Sequence, residues 1–419
     1  MGVELMFFYL LLIFFRVLLD VSYIVFLNPV FEYAGFTLDF YFLNYLISWI
    51  LYLVALPFVS GEIKVVSDYF FMTFVLFVLA PLTSLFGMNN WSIQPVIANV
   101  FVFILFFLIV RSNLIKTPKI PTIKHGNYLA ISISVISVLF LLVWYPLSGA
   151  SFNLNLTKVY EFRGENAELA SVGFLAYFNN WVYQIFSIFS LGYFLNKKKW
   201  LIVIFIILAQ IVFYGYSAHK SVLFSLGLIF GTWFWFSKSN KAFVVPLGLS
   251  VVVLSALFAF TVFSDIIFGS LFIRRVFYVP AYLTFKYFEF FGLNEQVLWS
   301  NSILSRFVDY PYDKTVPLLI GEFIGQPSAS ANNGFISSGY AHFGYYGVLL
   351  YTVLFAYIMK VFDNTTKQIG ILWLSLAITI TPLRAALISS DLFTTLLTHG
   401  LIITVFLVLL MRTKKNAHA

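Results

Sequence analysis

The chain has 419 residues, of which 61% are hydrophobic and only 10% charged, with a mean hydropathy of +0.94. Soluble domains carry about a quarter charged residues, so a soluble globular protein is excluded. The absence of Cys removes disulfides, thiolate chemistry, iron–sulfur clusters and Cys-ligated zinc. His125, His219, His342, His399 and His418 show no metal-binding spacing, so no metal and no other cofactor is expected. The net charge of +8 at first suggests nucleic acid, but its placement between apolar runs is explained by membrane topology, and no nucleic-acid partner is expected.

Apolar runs long enough to cross a bilayer as helix, about 17–25 residues, recur along the chain. They are read at 5–27, 41–59, 69–86, 95–111, 127–147, 172–194, 200–216, 221–236, 242–263, 345–360, 369–387 and 392–411. The fold class is therefore all-α: one polytopic integral-membrane helical bundle of about 12 spans over residues 1–419, with 264–344 as a long outward loop containing interfacial helices. The first run is full length and lacks a small-residue cleavage pattern, so it reads as a signal anchor.

Lys64, Arg111, Lys116, Lys119, Lys124, Lys197 to Lys199, Lys238, Lys241, Lys360, Lys367, Arg412, Lys414 and Lys415 all fall on one side of that pattern. The opposite loops 28–40 and 87–94 hold no Lys or Arg. The positive-inside rule then puts both termini in the cytoplasm and 264–344 on the outer face. Within that segment Leu271 to Phe291 is apolar, but Arg275 and Lys286 bracket only ten residues around Pro280. That suits an amphipathic helix at the headgroup level better than a crossing.

A few polar features interrupt the spans. Arg16 and Asp20 are four apart on one helix face and can pair, which offsets the insertion cost of each charge. Arg384 lies beside Pro382, with Asp391 within reach across the next turn. Gly227 and Gly231 form a GxxxG, the signature of close helix packing. No internal repeat is present, which argues against a transporter built from two related halves.

Outward cations are the informative set, because sidedness depletes them from short outer loops. They are Lys158 and Arg163 in the loop 148–171, Lys220 after His219, Arg274, Arg275 and Arg306 in the long segment, and Arg384. Guanidinium groups hold phosphate oxygens in pairs without losing charge, so such a set suits a diphosphate and makes a metal dispensable. Taken singly, each is better explained as headgroup snorkelling or a surface ion pair. A transfer reaction also needs a base, and the segment offers Glu322, His342, Asp309 and Asp313. Glu322 lies in the apolar frame Leu318 to Gly325, where partial burial would raise its pKa; otherwise it is a partner for an arginine. His342 titrates near neutrality; otherwise it is an interfacial side chain. Asn333 in Asn332-Asn333-Gly334 reads as a turn, or as a donor to a sugar hydroxyl or phosphate.

The span count, the single dominant outer segment and several local patterns resemble the bacterial O-antigen repeat-unit polymerases of the Wzy type. The patterns are Arg163, Gly215-x-x-x-x-Lys220, Arg275-x-x-x-x-Pro280, and Asn333-Gly334-Phe335-Ile336 followed by Gly339, Gly344 and Gly347. Arg384 with the run from Asp391 to Thr398 also fits. The resemblance implies an inner-membrane glycosyltransferase that moves a growing glycan from undecaprenyl diphosphate to an incoming lipid-linked repeat unit on the periplasmic face. It implies membrane lipid and a chain-length regulator as further partners. Glu322, His342 and Arg275 would be catalytic, and Arg163, Lys220, Arg274, Arg306, Asn333 and Arg384 would bind substrate. The competing readings are an O-antigen ligase, which shares the donor, and a lipid-linked oligosaccharide flippase.

Overall fold

The computed structural model describes residues 2–113, 115–117, 120–154 and 173–412. Among these residues there is no strand, only an isolated bridge between Glu62 and Lys241. A chain with so few charges satisfies its backbone in an apolar medium through helices, whose hydrogen bonds are internal. In chain order they are α1 (Val3–Ala34), α2 (Phe42–Phe58), α3 (Val66–Met88), α4 (Gln94–Arg111), α5 (Gly126–Leu147), α6 (175–196), α7 (Trp200–Ser217) and α8 (Lys220–Phe236). They continue as α9 (Val244–Phe263), α10 (Ile266–Leu293), α11 (Val316–Phe323), α12 (Phe335–Ile369), α13 (Leu372–Ile388), α14 (Leu392–Leu397) and α15 (Leu401–Leu410). Eight are long and apolar enough to cross a membrane: α1, α3, α4, α5, α7, α9, α10 and α12. The apolar helices α2, α8, α13 and α15 are shorter.

One end of the bundle is tied by charge. Lys241 bridges Glu4 and Glu62, Arg111 pairs with Asp68 and approaches Asp363, and Arg412 donates to the carbonyls of Ile120 and Pro121. This is the basic end. At the far end the loops 28–40 and 87–94, which hold no Lys or Arg, meet: Thr37 bonds Asn89, and Asp39 N–H donates to the Met88 carbonyl.

The helix α10 meets the length and composition for a crossing, but its contacts place both of its ends at the far end. Near its start Gly269 abuts Phe26 and Arg274 lies over Phe31; near its finish Phe285 and Lys286 lie against Trp91. From between, Tyr278 reaches down to donate to the Leu19 carbonyl at 2.5 Å and to meet Ser84 at 2.9 Å. A widened π-helical stretch, Ser270–Tyr278, rotates consecutive residues apart, so Arg274 packs inward while Arg275 is exposed.

The segment after α10 is partly inside the bundle. At Phe343 and Gly344 the chain leaves helical geometry, with Gly344 at φ +59°, and α12 folds back on itself. Only glycine adopts that φ without strain. Gly339 and Gly347 then meet, a Cβ on Gly347 falling 2.0 Å from the Gly339 carbonyl oxygen, and the ring of Phe335 lies 5.2 Å from that of Phe355. The chain thus dips in along 335–342 and returns along 345–369.

Two expectations are corrected. The run 392–411 is interrupted at 398–400, where Gly400 has φ +71° and packs on Trp181 and Ile185, while Trp181 Nε1–H donates to the Leu397 carbonyl at 2.5 Å. Gly227 and Gly231 have no atom within 4 Å of where a Cβ would lie, so the GxxxG faces out of the bundle rather than into a close helix contact.

Candidate functional site

Glu322 does not lie in the apolar pocket expected of its frame. The short helix α11 buries Val316, Ile320 and Gly321, and the next position points out. Glu322 is 50% exposed and bonds Lys314 Nζ at 2.8 Å, which raises the Lys314 pKa.

His342 is buried and fully engaged. Trp299 N–H donates to Nδ1 at 3.2 Å, so the ring proton belongs on Nε2, which faces Asp391 Oδ2 at 3.6 Å. The Tyr351 hydroxyl donates to the same oxygen at 3.1 Å and itself accepts from Trp299 Nε1–H at 2.9 Å. Asp391 Oδ1 caps α14 through the N–H groups of Phe393 and Thr394. The imidazole therefore joins the loop after α10 to the start of α14. Neither nitrogen retains a lone pair free to accept a substrate proton.

Asn333 is likewise structural. It is buried, and its Nδ2 donates to the Pro280 carbonyl, Thr284 Oγ1 and Ser337 Oγ at 3.0–3.2 Å, pinning α10 to the inward-dipping arm of α12. This linkage is a better account of Asn333 than a surface turn or a ligand donor. Arg274 is half-buried, its guanidinium 4.5 Å from the Phe31 ring centroid, and its Nε has no hydrogen-bond partner among the described residues.

The remaining cations are exposed and fall into two groups. Arg275 on α10 and Arg306 on the loop beyond it belong to the first. A groove of about 510 Å³ lies beside the same helix, between Trp91, Gln94, Phe288 and the Lys286–Glu289 ion pair. Lys220 and Arg384 form the second group. The helix α8 packs on α6, α7 and α13, and runs antiparallel to α13, so Lys220 at its first residue and Arg384 near the end of α13 share the far end. Helix α10 instead packs on α3, α4, α9 and α12, so the two groups of cations stand on different sets of packed helices. Arg163 and Lys158 lie outside the described residues.

Arg384 stands out on its own helix. Ala377, Ile380 and Ile388, which share its face, are 6%, 5% and 4% exposed, whereas Arg384 itself is exposed. A lipid-facing helix would expose the whole stripe. Arg384 is therefore exposed at one point of a face that is otherwise buried. Asp391, the expected partner across the turn, is committed to His342, Tyr351 and the α14 cap, and among the described residues Arg384 makes no ion pair.

Among the described residues no group of three or more His, Asp or Glu is placed to hold a metal. No protein-family model, curated protein or solved structure matches the chain.

These assignments separate in stability measurements. Replacing His342 by Ala should cost about 1–3 kcal/mol, because it removes a buried side chain and the acceptor of the Trp299 N–H. Glu322→Gln should stay within about 0.5 kcal/mol. Thermal unfolding in detergent checks both, and a His342→Ala protein that melts like the wild type would rule out the buried network.

Proposed function

We propose that the protein is an integral-membrane glycosyltransferase that transfers a growing glycan from undecaprenyl diphosphate to an incoming lipid-linked oligosaccharide repeat unit. In this reading twelve segments cross the membrane, the basic end faces the bacterial cytoplasm by the positive-inside rule, and the far end faces the periplasm. The observation that carries it is the set of exposed far-end cations, Lys220, Arg275, Arg306 and Arg384, which have no ion-pair partner among the described residues. Unpaired cations at a membrane surface favour a polyanionic ligand, and guanidinium forks match the oxygens of a diphosphate.

The two groups suit two lipid diphosphates, one on the α10 side and one at the α8–α13 pair. Each diphosphate keeps its lipid tail in the bilayer. The chemistry is a single displacement at the anomeric carbon, with inversion, in which arginines stabilise the charge growing on the leaving diphosphate. The groove beside Trp91 has the size of a sugar subsite.

Purified protein in lipid nanodiscs, given lipid-linked repeat units alone, should produce a ladder of polymer, and Arg275→Ala should slow it at least tenfold. Transfer only to lipid A-core would establish the ligase reading instead. Movement of lipid-linked units across the bilayer without elongation would establish a flippase.

A further inference from the structure

The loop 87–94 places one tryptophan against α10. Asn89 is tied to Thr37, Asn90 accepts from Asn44 Nδ2 at 3.2 Å, and Ser92 Oγ accepts from the Gln94 N–H at 3.3 Å, so the loop is fixed on both sides of Trp91. The Phe285 ring meets the indole edge-on at 5.0 Å, and Lys286 Nζ lies 5.5 Å from the ring centroids of both Trp91 and Tyr282. Trp91 stays partly exposed, and the groove of about 510 Å³ opens between it, Gln94, Phe288, Glu289 and Gly292. An aromatic wall ordered before a ligand arrives costs little entropy on binding.

We propose that this groove is a sugar-binding subsite, which holds an uncharged ring of the lipid-linked unit at a distance from its diphosphate. The inference deepens the transferase reading above and takes the class of ligand from it.

Charge and chemistry select the occupant. Lys286 and Glu289 are the only charged side chains of the lining among the described residues, and they pair at 2.7 Å, so the groove is neutral. A phosphate would meet the Glu289 carboxylate. A prenyl or acyl chain would bury that ion pair, together with the exposed amide of Gln94, which has no hydrogen-bond partner among the described residues. A sugar ring carries both characters that the groove offers. Its C–H groups suit the negative faces of aromatic rings, and its hydroxyls donate to a carboxylate or an amide oxygen and accept from an ammonium.

Position sets which ring it is. Lys286 is eleven residues beyond Arg275, about 16 Å of helix. A diphosphate held at Arg275 keeps its first sugar beside it, and the groove lies where a ring further along the unit falls. Contacts there orient the unit from a distance.

The test uses the full-length protein in nanodiscs and the free oligosaccharide released by mild acid from the cell's lipid-linked repeat units, with binding followed by saturation-transfer NMR. The wild type should transfer saturation to sugar ring protons, and undecaprenyl phosphate, which has no sugar, should not displace them. Trp91→Ala should weaken binding about tenfold or more. Gly292→Leu removes no packing, because a Cβ there meets nothing nearer than the Tyr340 hydroxyl at 3.5 Å, and its side chain fills the groove. That variant should bind as weakly as Trp91→Ala while unfolding at the wild-type midpoint. Wild-type binding by Gly292→Leu overturns the proposal whatever Trp91→Ala does. Displacement of the sugar by undecaprenyl phosphate overturns it in favour of a lipid site. A wild type that elongates glycan but binds no free oligosaccharide overturns the subsite alone, whereas sugar binding with no polymer ladder sinks the transferase reading and leaves the subsite standing.

Discussion

Arg16→Met is expected to destabilise the bundle by about 3–5 kcal/mol, because it leaves the Asp20 carboxylate buried with no cation. Arg16 is wholly buried on α1, and each of its three guanidinium nitrogens makes a hydrogen bond. It pairs with Asp20, its Nε donates to Thr83 at 3.0 Å, a terminal nitrogen donates to Ser48 at 3.3 Å, and its Cζ lies 5.0 Å from the Trp49 ring centroid. Asp20 accepts from Ser84 at 2.6 Å and from Tyr45 at 3.3 Å, and Ser84 meets the Tyr278 hydroxyl. One ion pair therefore joins α1, α2, α3 and α10, and α10 carries Arg274 and Arg275. Asp20→Leu alone should cost a similar amount, by stranding the guanidinium. The double variant should recover most of the loss, since removing both buried charges avoids the desolvation penalty. Chemical unfolding in detergent of the four proteins completes the cycle. Single variants as stable as the wild type would show that the pair is not a structural centre.

The Arg16–Asp20 pair was legible in the sequence because two charges four apart share a helix face wherever the helix lies. Helical class and membrane character were legible too, since composition and run length report them directly. Other features depend on depth, which periodicity does not encode. Helix α10 has the length and apolarity of a span, and only its contacts with Phe26 and Trp91 put both ends at the far end. Phe343 and Gly344 lie within what reads as one helix start, yet the chain reverses there. Glu322 follows apolar residues, and a two-turn helix turns that frame outward. The site was half legible: exposed cations were identifiable from sidedness, but their division between α10 and the α8–α13 pair follows from packing.

Arg384→Ala is expected to lower the elongation rate constant about 10²–10³-fold, the loss of one oriented donor on the leaving group, roughly 3–4 kcal/mol in the transition state. The guanidinium is available for this because its natural partner is held elsewhere: His342, Tyr351 and the start of α14 occupy Asp391. The fold thus commits a carboxylate to the loop after α10 and leaves Arg384 without an ion-pair partner among the described residues. Exposure also means that the substitution should leave the unfolding midpoint within about 0.5 kcal/mol of the wild type. Arg384→Lys keeps the charge but loses the planar fork, and should recover only part of the rate. Arg275 lies on the other group of cations, where binding precedes displacement, so Arg275→Ala should raise KM for a lipid-linked substrate more than it lowers kcat. Initial rates against substrate concentration separate the two. Equal effects on KM from both variants, with kcat unchanged, would place Arg384 among the binding residues and remove it from the displacement.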